Sequence, residues 1–173
     1  MKKISYLIAL IIVFISCDYT KNTSEKVNVL IEEKAIGAVL DRWHKSAADA
    51  NFEAYFEAMT DKSMFIGTDA SENWTLKAFK NFSKPYFDKG EAWSFTPVER
   101  TIYVYKDGEL AWFDELLGTW MGICRGSGVL KKVDNTWKIE HYVLSLTIPN
   151  ENIQEVKNVN KERDSLFLSK LRN

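Results

Sequence analysis

Chemistry is thinly supplied in this sequence, and the two side chains best placed for it are Asp114 and His141. Asp114 lies in Trp112-Phe113-Asp114-Glu115, an apolar stretch of strand character in which aspartate is depleted. Desolvation among aromatic rings suits a carboxyl to general acid or base work. His141 stands between Ile139 and Val143, and Tyr103 is a third group that could assist a proton transfer. Plainer roles are open to the same residues. Asp114 could bond a helix end or an indole N–H, and a lone strand histidine is often a hydrogen-bonded core residue.

Other chemistries find less. A metal would need more ligands than His141 and Asp114, and His44 sits beside Trp43 on a helix with no partner at ligand spacing, so neither metal nor cofactor is expected. Arg125-Gly126-Ser127-Gly128 lies inside a strand rather than between a strand and a helix, which makes it a poor phosphate loop. The net charge of −1, with no run of lysine and arginine, excludes tracking of a nucleic-acid backbone. Six Trp, seven Tyr and ten Phe instead favour an apolar partner. Trp43, Tyr55, Phe65, Trp74, Tyr103 and Trp112 are the candidates to line a ligand site, or to fill the core.

The first residues address the chain to a membrane. Met1-Lys2-Lys3 is a short positive region, and Ile4 to Ile15 is an apolar run broken only by Ser5. That run is too short to span a bilayer and suits a signal-peptide core. Phe14-Ile15-Ser16-Cys17 resembles a lipobox, so residues 1–16 are expected to be removed and Cys17 lipidated. Losing Lys2 and Lys3 leaves 21 basic against 24 acidic residues, a formal charge of −3. Cys124 is the other cysteine, so no disulfide framework is expected and Cys124 reads as a small buried hydrophobe.

The elements that must position the candidate groups follow from periodicity. Residues 17–27 form a polar tether, 28–148 the domain, and 149–173 a charged tail expected to be helical. Ile36, Val39, Leu40, Trp43 and Ala47 recur at helical spacing from about Asn28 onward. A second helix, capped by Asp49 or Asn51, buries Phe52, Tyr55, Phe56 and Met59. A short strand at 63–66 and a third helix over about 75–87, kinked or ended by Pro85, come next. The period then changes to two, giving strands at about 93–105, 110–117, 120–132 and 136–148. Helices followed by antiparallel strands predict an α+β fold, with the helices on one face of a curved sheet.

This order resembles the SnoaL-like branch of the nuclear transport factor 2 superfamily. The residues that carry the likeness are Thr119 to Leu130, the turn Asp134-Asn135, and Trp137-Lys138-Ile139-Glu140-His141-Tyr142-Val143-Leu144-Ser145. The last stretch is similar to a family ending Trp-x-Ile-x-His-x-His-x-Ser, with Val143 in place of the second histidine. The resemblance implies a cone-shaped pocket between sheet and helices, an aspartate in that cone for catalytic relatives, and pairing of two copies through the outer sheet face.

If Asp134-Asn135 is a two-residue turn, His141 falls opposite Gly128, Val143 opposite Gly126 and Ser145 opposite Cys124. That glycine-rich face is assigned to the cavity, and Arg125, Ser127, Tyr142, Leu144 and Leu146 to the outer, dimer-forming face. Three functions remain open at this point. The domain could bind a small apolar ligand without turning it over, act as an isomerase, cyclase or hydrolase through Asp114, or serve as a dimeric interaction domain. A lipid-anchored envelope location accompanies all three.

Overall fold

The computed structural model describes residues 27–172. The expected signal peptide, Cys17 and nearly all of the expected tether fall outside the described residues. Helix α1 spans Val29–Ala48, and the Asn28 side chain accepts a hydrogen bond from the Ile31 N–H at its start. The expected stripe is buried in full, with His44 added to it. Asn51 caps the short α2, Phe52–Glu57, in the same way. Met59, expected at the end of that helix, instead opens strand β1, Met59–Ile66.

A short strand β2, Asn73–Thr75, precedes α3, Leu76–Asp88, whose cap is Thr75. Pro85 neither ends α3 nor sits in the core; it lies on the exposed side of the last turn. Strands β3 (Thr96–Val104), β4 (Leu110–Thr119), β5 (Gly122–Val133) and β6 (Thr136–Leu146) complete one sheet in the order β2-β1-β6-β5-β4-β3. Only the β1–β6 pairing is parallel. The turn between β5 and β6 uses Asp134 and Asn135, both at positive φ, as a tight hairpin requires.

The pairing beyond that turn departs from the sequence expectation. Val133↔Thr136 through Leu130↔Ile139 hold, but the next pair is Val129↔His141, then Gly128↔Tyr142, Gly126↔Leu144 and Cys124↔Leu146. Glu140 and His141 together answer one residue of β5, a β-bulge. The bulge sits where β1 also shifts its register, and there Ala58 O accepts from the Ile139 N–H while the Thr60 hydroxyl donates to Glu140. One extra residue lets Ile139 and Tyr142 both point inward. It therefore moves Tyr142 and Leu144 into the core and leaves His141 and Val143 on the outer face.

The core lies between the inner sheet face and the helices. Trp43 stacks on Tyr55 at 4.9 Å and meets Tyr142 edge-on at 4.7 Å, while Phe56, Phe79 and Phe87 close the far side. A last helix α4, Ile153–Leu171, buries no residue. Among the described residues no helix is long and apolar enough to cross a membrane.

Candidate functional site

Glu115 is the charged group at the heart of the cone. Strand alternation puts Phe113, Glu115 and Leu117 inward, opposite Gly128, Gly126 and Cys124. Gly126 makes the room, because a Cβ there would stand 3.0 Å from Glu115 and 2.4 Å from the Tyr142 hydroxyl. Three elements converge on the carboxylate. His44 of α1 donates from Nε2 to Oε1 at 2.8 Å, Arg100 of β3 donates from Nε to Oε2 at 2.8 Å, and the Tyr142 hydroxyl donates to Oε1 at 3.3 Å. Arg100 also reaches Asp41 on α1 at 2.7 Å. Burial alone would raise the Glu115 carboxyl, but the bonds and charges of His44 and Arg100 outweigh it and hold the group below the ordinary carboxylate range. Burial, and then the nearby Glu115 charge, push the Tyr142 phenol well up.

Next to this cluster is a pocket of about 170 Å³ lined mainly by rings. Phe65, Trp74, Phe79, Phe82, Trp93, Phe95 and Trp120 form its walls, with Met121 and Leu144 between them and Glu72 at the edge. The rings brace one another: Phe65 stacks on Phe79 at 3.9 Å, and Trp74 stacks on Phe79 at 5.6 Å and on Phe82 at 4.5 Å. Trp120, in the β4–β5 turn, is 83% exposed and stands at the rim. Phe95 joins the two sites, since it lines the pocket and lies 6.4 Å from the His44 ring.

The sequence candidates divide between these places and others. Phe65 and Trp74 line the pocket. Trp43 and Tyr55 are core residues, each about 1% exposed. Asp114, Trp112 and Tyr103 are on the outer sheet face, where Trp112 and Tyr103 stack at 5.5 Å, and the bulge places His141 on that face too. Strand parity is the physical reason: Glu115, not Asp114, faces the helices. His44, considered from sequence only as a metal ligand, is hydrogen-bonded to Glu115. The signal for Glu115 was present. Taking Trp120-Met121 as a two-residue turn pairs Thr119 with Gly122 and carries Glu115 to Gly126, the glycine that marks the inner face. Among the described residues no group of three or more histidine, cysteine, aspartate or glutamate side chains is placed to hold a metal.

The sequence model of the SnoaL-like domain matches residues 36–149, which span α1 to the end of the sheet. The chain belongs to this family. Its fold is also that of solved structures of low identity. A nuclear transport factor 2-like protein of unknown function from Pseudomonas putida is 15% identical, with 71% of this chain and 92% of that one covered and a TM-score of 0.60. A Nostoc punctiforme domain of unknown function with a cystatin-like fold is 15% identical over 83% of this chain and 98% of that one, TM-score 0.58. A nuclear transport factor 2-like protein of unknown function from Shewanella oneidensis is 14% identical over 66% and 98%, TM-score 0.53. These likenesses are of fold alone. No curated protein matches the sequence.

Proposed function

We propose that this SnoaL-like domain binds a small, largely apolar molecule in the ring-lined pocket and holds it without turning it over. One observation carries the reading: seven aromatic side chains converge on a single space that one carboxylate borders, while His44, Glu115 and Arg100 inside the cone are already bonded to one another. Native mass spectrometry of the extracted protein, followed by a thermal-shift screen of aromatic and alicyclic compounds, tests it. A retained ligand is expected, and Trp74→Ala should weaken its binding at least tenfold while Trp112→Ala leaves it unchanged. Equal losses in both variants, or no ligand and no shift across the screen, would reject the reading.

The setting belongs to the same proposal. Lipidation of Cys17 would tether the domain to an envelope membrane, and two copies would pair through the outer sheet face. Cys17→Ser should release the protein into a soluble envelope fraction; a wild-type chain found free in that fraction would count against the anchor.

A second reading rests on His44. Nε2 donates a hydrogen bond to the Glu115 carboxylate, and among the described residues Nδ1 has no hydrogen-bond partner. An imidazole oriented by a buried carboxylate, with its second nitrogen uncommitted, is the arrangement of a general base. Deuterium uptake from heavy water into a bound carbonyl compound, lost in His44→Gln with binding retained, would favour this reading over passive binding.

A further inference from the structure

We infer that the pocket is selective for an organic cation, such as the quaternary or tertiary ammonium group of a small amphiphile. This rests on the binding reading above and names the ligand class. Among the described residues that line the pocket, Glu72 is the only charged one. Its Oε2 accepts the Asp69 N–H at 3.2 Å and lies so close over Gly67 that a Cβ there would meet it at 2.2 Å. Gly67 and Glu72 both border the pocket, so the carboxylate is held at its wall by the loop it closes. Among the described residues no lysine, arginine or histidine forms an ion pair with Glu72.

Three ligand classes meet different fates there. An anion would face a carboxylate and the negative faces of aromatic rings, with no basic side chain among the described lining residues to offset either. A neutral apolar molecule would strip water from Glu72 and return nothing to it. A metal cation would find few oxygens, where hard cations take six or so. An alkylammonium group is weakly hydrated, its charge is spread over its methyl groups, and aromatic faces attract it. Trp74, Phe82, Trp93 and Trp120 offer the rings, and Glu72 offers the countercharge.

The test compares choline with its uncharged carbon isostere, in which a tert-butyl group replaces the trimethylammonium. Both are titrated calorimetrically into the full chain, purified in an uncharged detergent free of choline. Choline should bind about tenfold tighter or more. In Glu72→Gln, whose amide oxygen can still accept the Asp69 N–H, the preference should shrink to about threefold or less while the isostere binds as before. Trp120→Ala, a change at an exposed rim position, should also weaken choline binding. An isostere that binds as tightly as choline overturns the inference and leaves the binding reading standing. Binding of neither probe, when neutral aromatic compounds do bind, has the same meaning. Binding of neither, with no neutral compound bound, rejects both.

Discussion

His44 Nε2 and Glu115 Oε1 lie 2.8 Å apart, with the histidine side chain 6% exposed and the carboxylate not exposed at all. Helix α1 and strand β4 are thus joined by a buried polar contact. Because Arg100 shares the same carboxylate, the contact also reaches the edge strand β3.

Removing Glu115 should therefore be costly. Glu115→Ala would leave the Arg100 guanidinium beside a vacated cavity and would take the bonding partner from His44 and Tyr142. Breaking one side of a buried pair typically costs about 3–5 kcal/mol. Urea denaturation should show a loss of that size, whereas Glu140→Ala on the bulge, one hydrogen bond from Thr60, should cost roughly 1 kcal/mol. Similar losses in the two variants would mean that the cluster does not organise the core.

The same carboxylate sets a pH dependence with a fixed sign. Glu115 has its folded pKa below the unfolded value, which is roughly 4.3. Its contribution to stability is therefore complete above the unfolded pKa and is lost as pH falls through the folded one. Urea midpoints should decline as pH is lowered from about 5 toward 3, and Glu115→Gln should flatten that decline while lowering stability at neutral pH. An unchanged acid limb in the variant would assign the loss to other carboxylates. Glu32, held below its ordinary value chiefly by its hydrogen bond to Lys132, and next by Trp137, is the first of these to check.

Much of this arrangement was legible in the residues. The α1 stripe, a cap at Asn51 (one of two candidates with Asp49) and the Asp134-Asn135 hairpin follow from spacing and turn chemistry, and all appear. The inner face was marked by glycine, and Gly126 and Gly128 do lie on it. What could not be read was the extra residue at Glu140. A bulge leaves no mark in an alternating pattern until the neighbouring strand is known, and here β1 arrives in parallel from far away in sequence. One slip carried His141 and Val143 out and Tyr142 and Leu144 in. The pocket was half legible for a related reason: Phe65 and Trp74 stood out, but Trp93, Phe95 and Trp120 reach it from a loop and a turn, where periodicity is silent.

Gly128 tests the close approach of β5 to its neighbours. A Cβ at that position would stand 2.5 Å from the His141 carbonyl oxygen and 2.8 Å from the Phe113 ring. The backbone oxygen cannot swing aside, so Gly128→Ala must push β6 away next to the bulge. Overpacking of this kind costs about 1–3 kcal/mol. Gly90→Ala is a useful contrast: nothing lies within 4 Å of its would-be Cβ, and its penalty comes from a positive φ alone. Thermal denaturation should place Gly128→Ala clearly below Gly90→Ala. The reverse order would show that β5 and β6 have room to separate.

The outer sheet face carries the last prediction. Tyr103, Trp112, Val129, His141 and Met64 stand in register across five strands, a continuous row in which Tyr103 and Trp112 are 43% and 44% exposed. The row replaces the face expected from the unbulged register, since Tyr142 and Leu144 are buried inside. Two exposed, stacked aromatics beside valine and methionine make an apolar strip that a second copy could cover, and strips meeting across a two-fold axis are self-complementary. Trp112→Glu places a charge in the middle of that strip without touching the core. Sedimentation of the full chain in detergent at micromolar concentration should show a dimer for the wild type and a monomer for the variant, with circular dichroism unchanged. Leu144→Glu cannot serve the same purpose, because it would unfold the domain from within. A wild-type monomer, or a Trp112→Glu dimer, would remove this face from the account and leave the pocket reading untouched.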